Sequence, residues 1–407
     1  MKLGYVLSRY PLLSETFILR EIWELERQGQ QVAVYPLRHA PGARAKSHPR
    51  VAALRARTWR AGWLAAGSHL YWLRRRPLRY LATLAEAAAR NSGDLNLELG
   101  ALAYWGKAVA IARQARRDRI EQMHAHYATH PALVAWVVWR LTGIPYSFTV
   151  HAHDLFCHRA MLGRKIAAAS AVVAISEYNR RLLEAARPAR AATPLQVVHC
   201  GVEVPPPSPP RARGGRALRI LSVGSLQAYK GHRVLISACA LLRRRGLGFQ
   251  CRIVGAGPLQ AALRRQIARA GLEDSIQLAG AATEEEVAAE LRQAQVFALP
   301  SVRVPRTGQM EGIPVALMEA MAASLAVVAS RLSGIPELVG DGVEGLLVPP
   351  GDAAALAHAL ERLRDPELRQ RLGRAGRTKV AAEFSLAANV ARLAELWQGT
   401  RRREVAA

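Results

Sequence analysis

Two carboxylates stand eight positions apart in EGIPVALMEAMA, at Glu311 and Glu319, inside a stretch that otherwise reads as buried helix. Glutamate is seldom fully buried without a partner, so both side chains face either solvent or a ligand. Pro314 suits a first helical turn, which puts Glu311 just outside the helix and Glu319 about a turn and a half inside. In continuous helix eight residues span about 12 Å. That exceeds the ~5 to 9.5 Å that separates a glycosidase's two carboxyl groups. Between the two lies a helix N-terminus, whose free N–H groups and dipole attract phosphate. A ligand with phosphates in the middle and hydroxyl-bearing sugars at both ends, a nucleotide-diphospho-sugar, fits that arrangement. The plain alternative is two solvated carboxylates on an amphipathic helix.

Neighbouring motifs weigh against the alternative. LSVGSLQAYKGHRVLI (221–236) ends a strand in a glycine-containing loop that offers Lys230 as a point charge for a diphosphate. RIVGAGPL (252–259) is a strand followed by a turn in which Gly255 lets backbone approach a ligand. ALPS (298–301) closes another strand just upstream of Glu311. In the first half, H-x-H pairs occur at His124/His126 and His151/His153. With His130 and Asp154 they could be read as a metal cluster, but no Cys or further carboxylate completes one. They are expected to line a ligand cleft, with no metal bound.

These residues sit on a regular alternation of short β-rich and helical runs, which starts at LGYVLS and resumes after residue 217. Two tandem βαβ arrays predict an α/β protein of two facing doubly wound Rossmann-like domains, with the ligand in the cleft between them. The expected boundaries are 1–204 for an acceptor-side domain and 205–216 for a linker rich in Pro and Gly. A nucleotide-sugar-binding domain follows over 217–384, and a last helix, 385–407, packs back on the first domain. Thr283 and Glu286 form a capping box at one helix start. The 407 residues suffice for two full cores.

The formal charge is +26, and from residue 38 to 119 there are 17 Lys and Arg against 4 Asp and Glu. Such an excess implies an anionic partner or simply solvated basic faces. Nucleic acid is not expected, because no helix-turn-helix, RNP or zinc-knuckle signature accompanies the charge. No apolar run is long enough to span a bilayer, and MKLGYVLSRYPLL reads as a first strand, not a signal peptide. The four scattered cysteines suggest reduced thiols in the cytoplasm. LRARTWRAGWLAAGSHLYWLRRRPLRYL (54–81) sets Trp59, Trp63 and Trp72 beside Arg74, Arg75 and Arg76. This reads as an interfacial helix lying on anionic lipid, the alternative being tryptophans packed into the domain's own core.

Together KG after the first strand of the second half, IVG-x-GP, LPS, E-x7-E and SGIPELVGDGVEGLLVPPGD (333–352) resemble the retaining glycosyltransferases of family 4, which have the GT-B fold. SRYPLLSETFILREIWELERQGQQV and MHAHYATHPALVAW with GIPYSFTVHAHDLF look like their exopolysaccharide, colanic-acid-type subgroup. The resemblance implies transfer of a hexose from a UDP- or GDP-linked donor to a glycan or polyprenyl-diphosphate-linked acceptor, without metal. No cofactor is expected, since the nucleotide-sugar is a substrate. Glu311 would bond the donor sugar and Glu319 the ribose. Lys230 would hold the diphosphate, with backbone N–H groups near Gly312 and Ile313. Gly255, Gly280 and Ala281 would lie near the base, and His151 would face the donor sugar. Three departures stand out. Ser225 replaces the usual Arg, with Arg303 or Arg306 as stand-ins. Ser324-Leu325-Ala326 replaces Gly-x-Pro. Ser14-Glu15-Thr16 replaces the usual Gly-Gly acceptor loop. A sugar-nucleotide epimerase and a silent donor-binding protein are the related alternatives.

Overall fold

The computed structural model describes residues 1–10, 16–39, 58–59, 64–89, 95–151, 154–155, 160–206 and 217–406. Ser14, Glu15, Trp63, His153 and most of the expected linker lie outside them. The chain forms two units, Met1–His199 with Val390–Ala407, and Cys200–Asn389. The first division falls at Cys200, not after 204, because Val202 forms a bridge with Ser385. Its N–H donates to Phe384 O at 2.9 Å, and its carbonyl accepts from Leu386 N at 3.0 Å.

Unit 1 carries a six-stranded parallel sheet. Its strands are β1 (Lys2–Tyr10), β2 (Gln31–His39), β3 (Gln122–His126), β4 (Tyr146–Val150), β5 (Ala171–Ala174) and β6 (Leu195–Val197). Their order is β2-β1-β3-β4-β5-β6. Helix α1 (Thr16–Arg27) buries Ile18, Leu19, Ile22 and Leu25, the apolar stripe that helical spacing requires. Next come α2 (Leu64–Arg75), α3 (Pro77–Ala89), α4 (Leu95–Arg117) and α5 (His130–Thr142). Helix α5 is apolar nearly all round and accordingly buried; it ends on left-handed Gly143, whose N–H returns to Trp139 O. Helices α6 (Leu162–Ala168) and α7 (Glu177–Ala186) complete the layer, α7 starting on a Ser176 side-chain cap.

Unit 2 has strands β7 (Leu218–Val223), β8 (Phe249–Val254), β9 (Ile276–Gly280), β10 (Val296–Leu299), β11 (Ala326–Ser330) and β12 (Leu346–Val348). All neighbours are parallel, in the order β12-β11-β10-β7-β8-β9. The connection order reverses between β7 and β10, the switch point where a doubly wound sheet binds ligands. Its helices include α8 (His232–Arg244), α9 (Gln260–Arg269), α10 (Glu284–Gln293) and α11 (Val315–Ala322). The Thr283–Glu286 capping box forms as expected, with both reciprocal bonds present. Later helices are α12 (Ile335–Leu338), α13 (Ala353–Arg362), α14 (Pro366–Glu383) and α15 (Leu386–Ala406). From Val390 onward α15 belongs to unit 1. There Trp397 is fully buried, and its indole N–H donates to Ser147 Oγ at 2.8 Å.

The structure corrects the reading of residues 54–81. Trp59 is not helical; it lies half-buried against Tyr35, ring centroids 6.1 Å apart. Trp72 faces inward, is 0% exposed, and donates its indole N–H to Val109 O at 3.1 Å. Arg76 is tied to Leu141 O at 3.2 Å. Trp72 therefore fills the core of unit 1 and Trp59 packs against it, because burying a large ring outweighs exposing it. Arg74 and Arg75 remain exposed.

Candidate functional site

In unit 2 the predicted residues gather at the carboxyl ends of the strands. After β7 the chain passes Gly224 and half-buried Ser225, makes a short 3-10 turn over Ala228–Lys230, and enters α8 through Gly231. Gly231 has φ 72°, and a Cβ there would stand 1.7 Å from Pro300 O at the end of β10. No side chain fits, so the Lys230 loop lies directly on the Leu-Pro-Ser turn. Val302 N–H donates to Tyr229 O at 2.8 Å and closes that contact.

Lys230 Nζ forms an ion pair with Glu311 Oε1, and both side chains are largely buried. Burial works against the ammonium, but the Glu311 carboxylate prevails and holds Lys230 above its ordinary value. The two groups follow β7 and β10, the adjacent strands at the switch point. Gly312 and Ile313 are buried in the approach to α11, and Ser333 Oγ donates to Gly312 O at 3.0 Å. Pro314 turns out to be the N-cap, not the first helical residue, so α11 starts at Val315. Glu319 lies half-buried on α11.

The end of β8 supplies the second close approach. Gly255 has φ 150°, and its absent Cβ would stand 1.9 Å from Gly224 O. Its N–H donates to Gly280 O at 2.7 Å, which joins the ends of β8 and β9 beside exposed Ala281. Ser225, Gly255, Gly280, Ala281, Lys230, Glu311, Gly312 and Ile313 thus all lie at the strand ends, or in the segments that follow them, at one end of the sheet. Arg303 and Arg306 are exposed in the loop between β10 and α11.

Unit 1 presents a different chemistry. His151 follows β4, is 7% exposed, and places Nε2 3.1 Å from His126 Nδ1. His126 Nε2 lies 3.1 Å from Glu21 Oε1, which also accepts from Tyr5 OH at 2.7 Å. Burial and then the neighbouring His126 hold His151 well below the ordinary histidine value. Glu21 is kept ionised: burial opposes its charge, but the interactions with His126 and Tyr5 prevail and lower its pKa. Glu21, His124 and His126 have ligand atoms within 4.8 Å of one another and could hold a metal ion. Both ring nitrogens of His124, however, meet hydroxyls, Ser147 Oγ at 2.8 Å and Thr149 Oγ1 at 3.0 Å. The arrangement accounts for itself as a hydrogen-bond network. His130 begins α5, with its ring edge-on to Tyr104.

Asp154 and Lys165 are buried and hold the two sides of one residue. Asp154 Oδ2 accepts from Ala128 N at 2.6 Å, and Lys165 Nζ donates to Ala128 O. Burial pushes Asp154 up to about 7 and Lys165 down to about 7. This clamp fixes the turn after β3, where Tyr127 takes φ 78° and sets its ring 4.7 Å from that of His151. Thr16 is half-buried as the first residue of α1. Sequence reasoning missed Glu21. The available signal was an acid on the stripe that Ile18, Ile22 and Leu25 define.

Residues 211–379 match the family model described as glycosyl transferases group 1. The putative colanic acid biosynthesis glycosyltransferase WcaL of Escherichia coli K12 is 32% identical over 410 residues, 95% of this chain and 96% of its own. The amylovoran biosynthesis glycosyltransferase AmsK of Erwinia amylovora is 47% identical over 180 residues, and this match spans 44% of each chain. Among solved structures, Anabaena HepE in complex with UDP superposes with a TM-score of 0.70 at 16% identity, over 98% of this chain and 100% of its own. That likeness shows the fold alone, the GT-B arrangement of two parallel-sheet domains.

Proposed function

This chain belongs to the group 1 glycosyltransferases, and on that premise we propose that it moves a hexose, with retention, from a UDP- or GDP-linked donor to a glycan or lipid-linked oligosaccharide. The work is the assembly of an exopolysaccharide. The observation that carries the reading is the Lys230–Glu311 pair at the switch point of unit 2. A departing nucleoside diphosphate needs its growing charge met by fixed positive groups. Lys230 and the N-terminus of α11 supply that, and Arg303 or Arg306 takes the role left by Ser225. Glu311 then takes sugar hydroxyls and Glu319 the ribose hydroxyls. His151 bonds the donor sugar. The cationic work falls to side chains, and Glu311 is not a covalent nucleophile.

The acceptor is assigned to a membrane surface. Among the described residues no helix is long and apolar enough to cross a membrane. Leu70, Leu73, Leu78 and Leu81 on α2 and α3 are 49%, 39%, 82% and 53% exposed, and Arg74, Arg75 and Arg79 lie exposed among them. Leucines interspersed with arginines suit an anionic lipid face, so the protein docks at the cytoplasmic leaflet and meets a polyprenyl-diphosphate-linked acceptor there. The test is transfer by the purified protein from UDP- and GDP-hexoses to such an acceptor, with the anomeric configuration read by NMR. An α-linked product from an α-linked donor is expected. A β-linked product overturns retention, and no release of nucleoside diphosphate from any donor overturns the reading.

A further inference from the structure

Four groups in unit 1 form one continuous line of contacts: Tyr5 on β1, Glu21 on α1, His126 at the end of β3, and His151 after β4. A chain of this kind has only a few consistent proton arrangements, and the carboxylate selects among them. Ionised Glu21 can only accept. Its Oε1 therefore takes protons from Tyr5 OH and from His126 Nε2–H. A doubly protonated His126 would donate from Nδ1 and leave His151 its proton on Nδ1, whereas a singly protonated His126 holds its proton on Nε2 and has a bare Nδ1. The group facing that Nδ1 at 3.1 Å is His151 Nε2, which must then be the donor. His151 is left with its proton on Nε2 and a lone pair on Nδ1. No hydrogen bond to that Nδ1 is made among the described residues.

We propose that Glu21 and His126 are positioning residues that fix His151 as the Nε2–H tautomer, so that its Nδ1 is a hydrogen-bond acceptor for a sugar hydroxyl. The catalytic consequence rests on the glycosyl-transfer reading above, whereas the tautomer does not. The surroundings keep the chain rigid. The rings of Phe17 and Tyr127 lie 5.1 Å and 4.7 Å from that of His151, and Asn179 donates to His151 O at 3.4 Å. His124, the other imidazole in contact with His126, is occupied by Ser147 and Thr149 and contributes no proton to the line. The second nitrogen of an imidazole is set by the bond its first nitrogen makes, so a substitution two residues away along the chain can reverse the polarity presented outward.

The experiment is long-range proton–nitrogen NMR of the full chain labelled with 15N-histidine, with His151 identified by the signal lost in His151→Gln. The wild type should show His151 as a single neutral Nε2–H species. In Glu21→Gln the amide no longer demands a proton on His126 Nε2, and His151 should become mixed or switch to Nδ1–H. The same variant should lose at least tenfold in kcat while the affinity for the nucleoside diphosphate alone stays within twofold, since the groups assigned to it lie in unit 2. A wild-type His151 that is charged or carries its proton on Nδ1 overturns the proposal without any variant. So does an unchanged tautomer in Glu21→Gln. An absence of transfer activity with the expected tautomer intact counts against the glycosyl-transfer reading instead.

Discussion

Lys230 and Glu311 are ion-paired across the ends of β7 and β10, so the cation assigned to a diphosphate is held by the carboxylate assigned to the sugar. The pair makes a sharp prediction for Glu311→Gln. Removing the carboxylate frees the ammonium, so a nucleoside diphosphate without a sugar should bind at least as tightly as to the wild type. Transfer should nevertheless fall tenfold or more, because the charged acceptor for the sugar hydroxyls is gone. Binding and turnover moving down together, read by titration and product formation, would contradict the division of roles.

Glu319→Ala should act on affinity. Loss of a carboxylate–ribose bond is expected to cost roughly 1.5 to 3 kcal/mol of donor binding, or about ten- to a hundredfold in Kd. A deoxyribonucleotide that lacks the bonded hydroxyl should show the same loss in the wild type and little further loss in the variant. Normal affinity in Glu319→Ala would return that residue to the helix surface.

His232 should shape the acid side of the stability curve. It is 1% exposed at the start of α8, close to the backbone of Gly224 and Ser225. Burial and then the charge of Lys230 lower its pKa to about 4. The unfolded chain, with a histidine near 6.5, therefore binds more protons between those values. Stability is fully present above about pH 6.5 and falls as the pH drops toward 4, by about 3 kcal/mol from this group alone. His232→Phe, which keeps the volume, should flatten that slope in denaturant titrations at pH 4.5 and 7. An unchanged slope would assign acid sensitivity elsewhere.

The leucine and arginine face of α2 and α3 should bind anionic vesicles. Co-sedimentation with vesicles containing phosphatidylglycerol should be strong at low salt and weaken as salt rises. Leu78→Ser with Arg74→Glu and Arg75→Glu should abolish it while leaving unfolding cooperative, because these side chains are exposed. Trp72→Ala should instead destabilise unit 1 by about 3 to 5 kcal/mol, since it empties a core position. Equal pelleting with neutral and anionic vesicles would contradict an electrostatic surface.

The sequence made unit 2 readable because its function sits where local chemistry is forced. Glycines at 231 and 255 are demanded by backbone contacts too close for any side chain, and they flag the loop that carries Lys230 and the loop packed on it. Ser324 stands, in the turn after α11, where the resembled family has glycine. The structure keeps the left-handed conformation there, φ 58°, so the chain bears on serine a geometry that glycine adopts more easily. Unit 1 was harder. An Arg- and Trp-rich run has the same one-dimensional pattern whether its rings face lipid or core, and only α4 and β2, distant in sequence, supplied the surfaces that Trp72 and Trp59 cover. The His126–His151 contact is likewise set by the register of two adjacent strands, which no motif states.

Calorimetric titration of UDP and GDP into the wild type and Lys230→Ala tests most directly whether the unit 2 strand ends hold a nucleotide. One of the two nucleotides should bind the wild type, and its affinity should fall at least tenfold in the variant, whose diphosphate cation is removed. Binding of neither nucleotide, or equal binding to both proteins, would contradict the assignment of the unit 2 strand ends to a nucleotide-sugar.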